Sequence, residues 1–364
     1  MPMSSRAVVQ TGVREYEMQE FSVPRIGPEE GLLRVEQSGV CGSDWSQYKN
    51  GYPKTVIPGH EPVGIIEEIG EIAARRWNVS IGDRVAVETM LPCGFCRFCI
   101  NGKYNLCRAS GSMIHAYGYR DISEAPALWG GHSELMYLDP HSLVHKIDKE
   151  LPAELAVMFN PLGAGVRWAH RLPGTGIGDC IVILGCGQRG LASVVAAREA
   201  GASQIVVTGL SSDAPKLELA RHFGADLAID IETENLMDAV RDITNGRMAD
   251  VVVEVTSGAT QPVSDSIELA ASGGTIVLAG AKYGKVPAFD SNRVLMKELT
   301  ILGALAVDYD SYEAAIRIIE SRRYPLELMH THTLSLEEAD KALLILGNEF
   351  EGEYGIHLSL APNG

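Results

Sequence analysis

The sequence has few basic residues and no long apolar segment. Its 31 Lys and Arg are outnumbered by 47 Asp and Glu, so the formal net charge is −16 over 364 residues. A chain this acidic, without a basic stripe, is a poor binder of nucleic acid or of an anionic membrane. No apolar run approaches the roughly 18 residues that a membrane span requires. The composition therefore excludes nucleic acid and membrane as expected partners.

A secretory signal and a disulfide framework are also missing. The first residues, MPMSSRAVVQTG, have no apolar segment of the kind that a signal peptide carries. Of the seven cysteines, four lie within the 15 residues from Cys93 to Cys107. In a long chain without a signal, such clustering favours metal binding over disulfides, so we expect a cytoplasmic protein. The length predicts two domains, and 46% hydrophobic residues suffice for sizeable cores.

The segment from Cys180 to Gly201, CIVILGCGQRGLASVVAAREAG, has the pattern of a dinucleotide-binding turn. A short apolar run predicts a strand buried on both faces, and Gly185, Gly187 and Gly190 follow at G-x-G-x-x-G spacing before a predicted helix. The glycines permit a tight turn, the approach of a pyrophosphate and close packing of helix on strand. The N-terminus of the helix offers free N–H groups to the phosphates.

Predicted strands and helices alternate after this turn, which indicates right-handed βαβ units and a parallel sheet. Ligands of such sheets bind at the carboxyl ends of the strands. The candidate cofactor-binding residues are therefore those of the turn and of the strand ends: Gly185, Gly187, Gln188, Arg189, Gly190, Gly209, Ser211, Lys216, Val255 and Thr256. For Arg189 we weigh a contact with the pyrophosphate against a solvent-facing side chain.

The choice between NAD and NADP depends on the loop that follows the second strand. Gly209 stands where an acid that binds the adenosine ribose is expected, and its lack of charge removes repulsion against a 2′-phosphate. No arginine follows, however, and a phosphate would rely on Ser211, Ser212 or Lys216. Asp213 would instead serve an NAD ribose from a longer loop. We expect NAD and keep NADP as the alternative.

Four cysteines form the strongest local motif, Cys93-x2-Cys96-x2-Cys99-x7-Cys107. Four thiolates on one loop saturate a tetrahedral zinc ion and leave no position for a substrate. The motif therefore predicts a structural zinc site. An iron–sulfur cluster stays open as the alternative, because four-cysteine spacing alone does not exclude it.

A second group of metal ligands lies earlier, in a strand-rich part of the chain. Cys41 and Ser43 follow a predicted strand, and His60 and Glu61 come after a further loop. Cysteine, histidine and glutamate all bind zinc, and ligands from separate loops leave a coordination position open for a substrate. Taken alone these residues favour a buried cysteine and a loop histidine; the neighbouring motifs favour a catalytic zinc.

Together these motifs resemble the zinc-dependent branch of the medium-chain dehydrogenase/reductase superfamily. The matching segments occur in the family's order: GVCGSDW (39–45), PGHEPVG (58–64), GDRV (82–85), CGFCRFC (93–99) with Cys107, GGHSEL (130–135) and GCGQRG (185–190). The resemblance implies an α/β chain of two domains. Residues 1–159 and 299–364 would form a β-rich, GroES-like catalytic domain, and residues 160–298 a Rossmann domain with a doubly wound parallel sheet.

By this resemblance Cys41 and His60 bind the catalytic zinc, and Glu61 is a ligand or an exchanging neighbour. Ser43 takes the proton-relay position, and Asp44 orients His60 through its other ring nitrogen.

The chain departs from the family at Asn160, where the usual ligand is Glu, Asp or Cys. A neutral amide is a weaker ligand than these. Glu61 would then be a true ligand, with Asn160 or a water completing the shell. The alternative is a weakened or empty catalytic site.

The function implied is a zinc-containing, NAD(P)-dependent alcohol dehydrogenase with two zinc ions per chain. Its substrate would be a small secondary alcohol, polyol or sugar-like molecule, and its assembly a homodimer or homotetramer. Two alternatives share the fold: a zinc-free quinone or enone reductase, and a non-catalytic NAD(P)-binding protein. Cys41, His60 and Glu61 argue against the first alternative, and Asn160 is the residue that suggests the second.

Overall fold

The computed structural model describes residues 4–107 and 115–364, which contain fifteen strands and twelve α-helices. The strands are β1 (Ser4–Gly12), β2 (Glu15–Ser22), β3 (Gly31–Val40), β4 (Pro62–Ile69), β5 (Arg84–Val87), β6 (Leu135–Leu138), β7 (Val144–Lys146), β8 (Cys180–Leu184), β9 (Gln204–Gly209), β10 (Leu227–Asp230), β11 (Ala249–Glu254), β12 (Ala270–Leu278), β13 (Thr300–Gly303), β14 (His330–Leu334) and β15 (His357–Leu360).

The helices are α1 (Gly42–Asn50), α2 (Glu71–Trp77), α3 (Arg97–Ile100), α4 (Ala153–Ala156), α5 (Phe159–Val166), α6 (Gln188–Ala200), α7 (Ala214–His222), α8 (Leu236–Ile243), α9 (Gln261–Leu269), α10 (Ser291–Lys297), α11 (Tyr309–Ser321) and α12 (Ala339–Leu346). None of these helices has the length and the apolarity that a membrane span requires.

The chain folds into two units. The first comprises Met1–Asn160, Ile316–Ser321 and Leu326–Gly364, and the second comprises Pro161–Ala315 and Arg322–Pro325.

The first unit is built on a seven-stranded sheet of order β14-β15-β3-β4-β5-β7, with β6 also paired to β3, and on the hairpin β1-β2. Strand β3 is the centre of this sheet, because it pairs antiparallel with β4, β6 and β15. Its apolar side chains, among them Leu33 and Val35, belong to a core with Ile66, Val85 and Trp129. This packing fixes the position of the C-terminal end of β3 and of the residues that follow it.

The second unit is a doubly wound α/β fold. Its six parallel strands have the order β10-β9-β8-β11-β12-β13. The central strand β8 is apolar throughout and fully buried, as a strand covered on both faces must be. It pairs with β9 on one side and β11 on the other, so the strand order reverses there. This reversal is where doubly wound sheets bind ligands.

One predicted boundary differs from the structure. We expected the segment from residue 299 onwards to return to the first domain. Strand β13 instead pairs with β12 in parallel register, with Thr300 opposite Thr275. The second unit therefore continues to Ala315. The physical reason is that β13 adds a sixth strand to the sheet before the chain leaves it.

Candidate metal centres and cofactor site

Sheet pairing brings the first group of predicted metal ligands together. Strand β4 pairs antiparallel with β3, and Ser38 lies opposite Pro62, so the end of β3 meets the start of β4. Cys41 follows β3 directly, and His60 and Glu61 directly precede β4. Their ligand atoms all lie within 4.8 Å of one another, and all three residues are buried. We call these three residues the mixed cluster.

A glycine makes room for the carboxylate of this cluster. A Cβ atom on Gly39 would lie 2.6 Å from Glu61 Oε2, a distance that real contacts do not show. The backbone N–H of Gly39 also donates to the carbonyl of Glu61 at 3.0 Å. Strand β3 therefore needs glycine at this position if Glu61 is to lie beside Cys41.

Asp44 determines which nitrogen of His60 faces the cluster. Its Oδ1 lies 3.1 Å from His60 Nδ1, and its Oδ2 accepts the backbone N–H of Cys41 at 2.8 Å. His60 Nε2 then lies 3.7 Å from Glu61 Oε1 and 3.5 Å from Ser43 Oγ. A carboxylate on one ring nitrogen and a metal on the other is the usual arrangement of a zinc-bound histidine.

Charges in the mixed cluster favour a bound cation. Burial lowers the pKa of His60, but Asp44, Tyr119 and Cys41 together raise it more, so that the net pKa is well above the ordinary value. Burial raises the pKa of Asp44, but the surrounding groups, His60 first among them and the backbone N–H of Cys41 included, together lower it more, so this carboxyl has a net lowered pKa. Burial also lowers the pKa of the neighbouring His132 to about 4, so His132 supplies no positive charge. A buried thiol and buried carboxylates fit a divalent cation such as zinc.

Two more residues bear on the assignment of this cluster. Asn160, the expected fourth ligand, is buried in α5, and its role as a ligand stays a prediction. Tyr119 was not among the predicted residues. Its hydroxyl lies 3.5 Å from Ser43 Oγ, and its ring lies 5.4 Å from that of His60. Its place after a glycine in YGYR (117–120) is a sequence feature that could have indicated it.

The four cysteines form a second cluster, also within 4.8 Å of one another. Cys99 Sγ lies 3.5 Å from Cys96 Sγ and 3.9 Å from Cys93 Sγ. Zn–S bonds of about 2.3 Å in a tetrahedron place sulfurs about 3.8 Å apart. The spacing fits four ligands of one ion better than the ligands of a multi-iron cluster, which would bind separate irons.

Backbone groups of this four-cysteine lobe also face the sulfurs. The N–H of Cys96 donates to Cys93 Sγ, and the N–H of Cys93 donates to Cys107 Sγ. The lobe contains little core of its own, since Phe95 is 77% exposed and Ile100 is 72% exposed. Tyr104 attaches the lobe to the sheet by donating to the buried carboxylate of Glu88 at 2.7 Å.

The glycine turn of the second unit has the geometry of a dinucleotide site. Gly185 has φ +110°, and a Cβ on Gly190 would lie 1.9 Å from the carbonyl oxygen of Gly185. Gly187 is the N-cap of α6, whose first residue is the buried Gln188. The guanidinium of Arg189 lies over the ring of Trp168, 5.4 Å from its centroid.

Acidic side chains surround the loop after β9. A Cβ on Gly209 would lie 2.5 Å from Cys186 Sγ, so this position cannot carry a larger residue without a shift. Ser211 donates through Oγ to Asp230 at 2.6 Å and through its backbone N–H to Glu232 at 2.8 Å. Lys216 pairs with Asp213 at 2.9 Å. The two residues considered as phosphate ligands, Ser211 and Lys216, therefore already contact carboxylates.

A buried ion pair holds the segment after β11, which includes the predicted cofactor residues Val255 and Thr256. Glu254 Oε1 accepts the backbone N–H of Thr256 at 2.8 Å and the ammonium of Lys282 at 2.8 Å. Lys282 also donates to the carbonyl oxygen of Thr256 at 2.6 Å. The sequence pattern did not single out Glu254 or Lys282, because they lie 28 residues apart and meet only in the folded sheet.

Comparison with known proteins gives two family matches. Residues 27–149 match the alcohol dehydrogenase GroES-like domain, and residues 190–321 match the zinc-binding dehydrogenase family. A Mycobacterium tuberculosis protein named "Probable alcohol dehydrogenase adh" is 42% identical over 364 residues, which cover 98% of each chain. The erythritol/L-threitol dehydrogenase of Mycolicibacterium smegmatis is 33% identical over 100% of this chain and 99% of its own.

Solved structures agree with these matches. The alcohol dehydrogenase of Thermotoga maritima superposes with a TM-score of 0.87 at 28% identity, over 99% of this chain and 100% of its own. A Sinorhizobium meliloti protein in complex with NADP superposes with a TM-score of 0.84 at 26% identity, over 99% and 100% of the two chains. The β-rich unit and the parallel-sheet unit are thus the domains that such dehydrogenases share.

Proposed function

Because this chain belongs to the zinc-dependent medium-chain dehydrogenase/reductase superfamily and is an alcohol dehydrogenase, we propose that its mixed cluster is the catalytic zinc site. The enzyme transfers hydride between an alcohol and a nicotinamide cofactor. The observation that carries the proposal is the meeting of three buried zinc-binding side chains, Cys41, His60 and Glu61, within 4.8 Å. The relatives named above favour neither a zinc-free reductase nor a non-catalytic protein.

The residues in and around the mixed cluster would have different roles in the reaction. Zinc bound there supplies a Lewis acid that lowers the pKa of an alcohol hydroxyl. Asp44 keeps a proton on His60 Nδ1, so that Nε2 offers its lone pair to the metal. Ser43 Oγ accepts or returns the proton of the substrate hydroxyl. The burial of all three ligands excludes bulk water and strengthens each electrostatic contact.

Metal analysis of the purified protein tests this assignment. We expect two zinc ions per chain, one in the mixed cluster and one in the four-cysteine lobe. Oxidation of secondary alcohols and polyols should require both the metal and a nicotinamide cofactor. One zinc per chain in the fully loaded protein, retained by a Cys41→Ser variant, would contradict the catalytic site and would leave only the structural site.

We propose that Asn160 or a water completes the ligand set at the mixed cluster. Cys41 thiolate and Glu61 carboxylate already balance the charge of Zn²⁺, so a neutral fourth ligand suffices. Asn160→Ala should weaken zinc binding at this site and leave the four-cysteine site filled. Unchanged zinc affinity in competition with a chelator would indicate a water instead.

We propose NAD as the preferred cofactor. Asp213, Asp230 and Glu232 place carboxylates around the loop after β9, and Lys216 is neutralised by its pairing with Asp213. A 2′-phosphate there would meet negative charge. We expect kcat/KM to be at least about tenfold higher with NAD than with NADP, which corresponds to about 1.4 kcal/mol.

Removal of the carboxylates checks the cofactor proposal. The variant Asp230→Asn/Glu232→Gln should raise kcat/KM for NADP about tenfold relative to NAD, since it removes repulsion. The matched control is Glu218→Gln, which removes an exposed charge from α7. A wild-type preference for NADP, or no change in the double variant, would contradict the proposal.

We propose that the active assembly is a homo-oligomer formed through the second unit. Strand β13 is the last strand of the described sheet, and several large apolar side chains of the second unit are exposed, including Val286 at 89% and Met296 at 80%. Exposed apolar patches of this kind mark interaction sites. Light scattering should give the mass of two or four chains, and Met296→Glu should reduce it. The mass of one chain in the wild type would contradict this proposal.

We propose a polyol or secondary alcohol as substrate and the cytoplasm as the location. The named erythritol/L-threitol relative supports the polyol, and a substrate panel that includes primary alcohols tests it. None of the seven cysteines forms a disulfide, and the four-cysteine site needs reduced thiols, which supports a reducing compartment. Cell fractionation with an antibody to the protein tests the location.

A further inference from the structure

Tyr119 lies against two residues of the proposed catalytic site. Its hydroxyl donates to Ser43 Oγ at 3.5 Å, and Ser43 Oγ in turn lies 3.5 Å from His60 Nε2. Its ring is tilted by 39° against the ring of His60, with 5.4 Å between the centroids. Only 7% of the residue is exposed. The hydroxyl of Tyr119 is therefore held beside Ser43, next to the ring of His60.

The backbone on both sides of Tyr119 is fixed. Gly118 has φ +82°, and a Cβ there would lie 3.2 Å from His60 Cβ, so this glycine lets the segment approach the histidine. Its N–H donates to the carbonyl of Trp129 at 2.7 Å. Arg120 lies over the ring of Trp129 at 3.5 Å from the centroid. Tyr119 is thus anchored between two residues that both contact Trp129.

A serine hydroxyl has one proton and two lone pairs. A hydrogen-bond donor that occupies one lone pair therefore restricts the directions in which the proton and the other lone pair point. A phenol is protonated near neutral pH and serves here as the donor. When Tyr119 fills one lone pair of Ser43, the remaining lone pair and the proton of Ser43 face other partners. The oxygen of an alcohol held at the mixed cluster would be such a partner, since Ser43 Oγ lies 3.5 Å from His60 Nε2.

We propose that Tyr119 is a positioning residue, which fixes the Ser43 hydroxyl for proton exchange with the substrate oxygen. The inference rests on the proposed function, because it needs Ser43 to exchange that proton. Tyr119 itself acts through Ser43 and takes no proton from the substrate. The role is specific to the phenolic oxygen, since phenylalanine would keep the ring contact with His60.

The test is a double-mutant cycle on the zinc-loaded enzyme with Tyr119→Phe, Ser43→Ala and the combined variant. Loss of one neutral hydrogen bond is worth about 1 kcal/mol, so Tyr119→Phe should lower kcat/KM for the alcohol about fivefold. In the Ser43→Ala background the same substitution should have almost no effect, because coupled residues are not additive. An equal loss in both backgrounds would overturn the inference.

A second readout does not depend on turnover. Cobalt-substituted protein can be titrated with trifluoroethanol, whose electron-poor carbinol carbon gives up hydride poorly, while its visible absorption is followed. Tyr119→Phe should weaken this binding about fivefold when Ser43 is present and not when it is replaced. Equal weakening in both backgrounds would assign Tyr119 to direct contact with the alcohol and would overturn the positioning role.

Tyr117→Phe is the matched control. The hydroxyl of Tyr117 contacts Ser142 Oγ at 2.6 Å and accepts the N–H of Asp139 at 2.9 Å, so its loss should lower Tm and leave kcat unchanged. If the zinc-loaded wild type oxidises no alcohol, the proposed function fails, and the trifluoroethanol cycle still decides the coupling of Tyr119 to Ser43.

Discussion

The first unit contains two groups of metal ligands that are built in opposite ways. The four cysteines occupy 15 consecutive residues, and three of them are only partly buried. The mixed cluster takes Cys41 from the position just after β3 and His60 and Glu61 from the two positions just before β4, and all three are buried. One group is defined by local spacing and the other by the pairing of two strands.

The difference shows what each site requires from the rest of the protein. A loop of four thiolates can close around an ion with little packing behind it, so the metal replaces a hydrophobic core. The mixed cluster needs the sheet, Gly39 and Asp44 before its ligands converge. We therefore expect damage to the lobe to appear as lost stability, and damage to the mixed cluster to appear as lost catalysis.

The largest effect should come from Cys41→Ser. Loss of a thiolate from the proposed catalytic site would remove the metal that is expected to stabilise the charge developing on the substrate oxygen, so kcat/KM should fall about 10³-fold or more. The protein should stay folded, with the same circular dichroism and one zinc fewer per chain. Near wild-type turnover in this variant would contradict the catalytic role of the mixed cluster, and with it the functional difference between the two clusters.

Cys96→Ser should reduce the stability of the protein, whereas Cys41→Ser should reduce its catalysis. Without one of its four thiolates, the lobe should lose its zinc, and Tm should fall by about 10 °C, which corresponds to roughly 3 kcal/mol. Differential scanning calorimetry and metal analysis measure this. Cys41→Ser serves as the control for the loss of a single thiol. An unchanged Tm together with a full zinc content would mean that Cys96 is no ligand.

Asp44→Asn tests whether the contact of Asp44 with His60 helps the mixed cluster to bind zinc. The amide keeps the size of the side chain but removes the charge that orients His60, so zinc affinity at this site should fall about 10- to 100-fold. Competition with a chromophoric chelator gives the affinity, and the four-cysteine site provides an internal reference. Equal weakening of both sites would indicate general unfolding instead of a local role.

The smallest effect should come from Phe95→Ser in the lobe. The side chain is 77% exposed, and surface substitutions usually change stability by less than about 0.5 kcal/mol. We expect Tm to shift by less than about 2 °C, whereas Leu33→Ala in the core beneath β3 should cost about 2–5 kcal/mol. A large loss with Phe95→Ser would mean that the lobe relies on apolar packing as well as on metal.

The family and the two-domain α/β fold were predicted from the sequence and are confirmed by the comparisons. The reason is that the strongest motifs are local: the glycine turn and the cysteine spacing each lie within one loop. The boundary at residue 298 was wrong by one strand, because the pairing of β13 with β12 depends on the whole sheet. The assignment of individual site residues stays a prediction.

The sequence by itself was sufficient to predict those motifs whose residues lie close together along the chain. Gly185, Gly187 and Gly190 bend one turn, and Cys93 to Cys107 can surround one ion, because neighbours along the chain need no distant partner to meet. Only the tertiary structure decided that Tyr119 contacts Ser43 and that Lys282 pairs with Glu254. The members of these pairs lie 76 and 28 positions apart in the chain. They become neighbours only when the burial of the strands offsets the conformational entropy that the chain loses on folding.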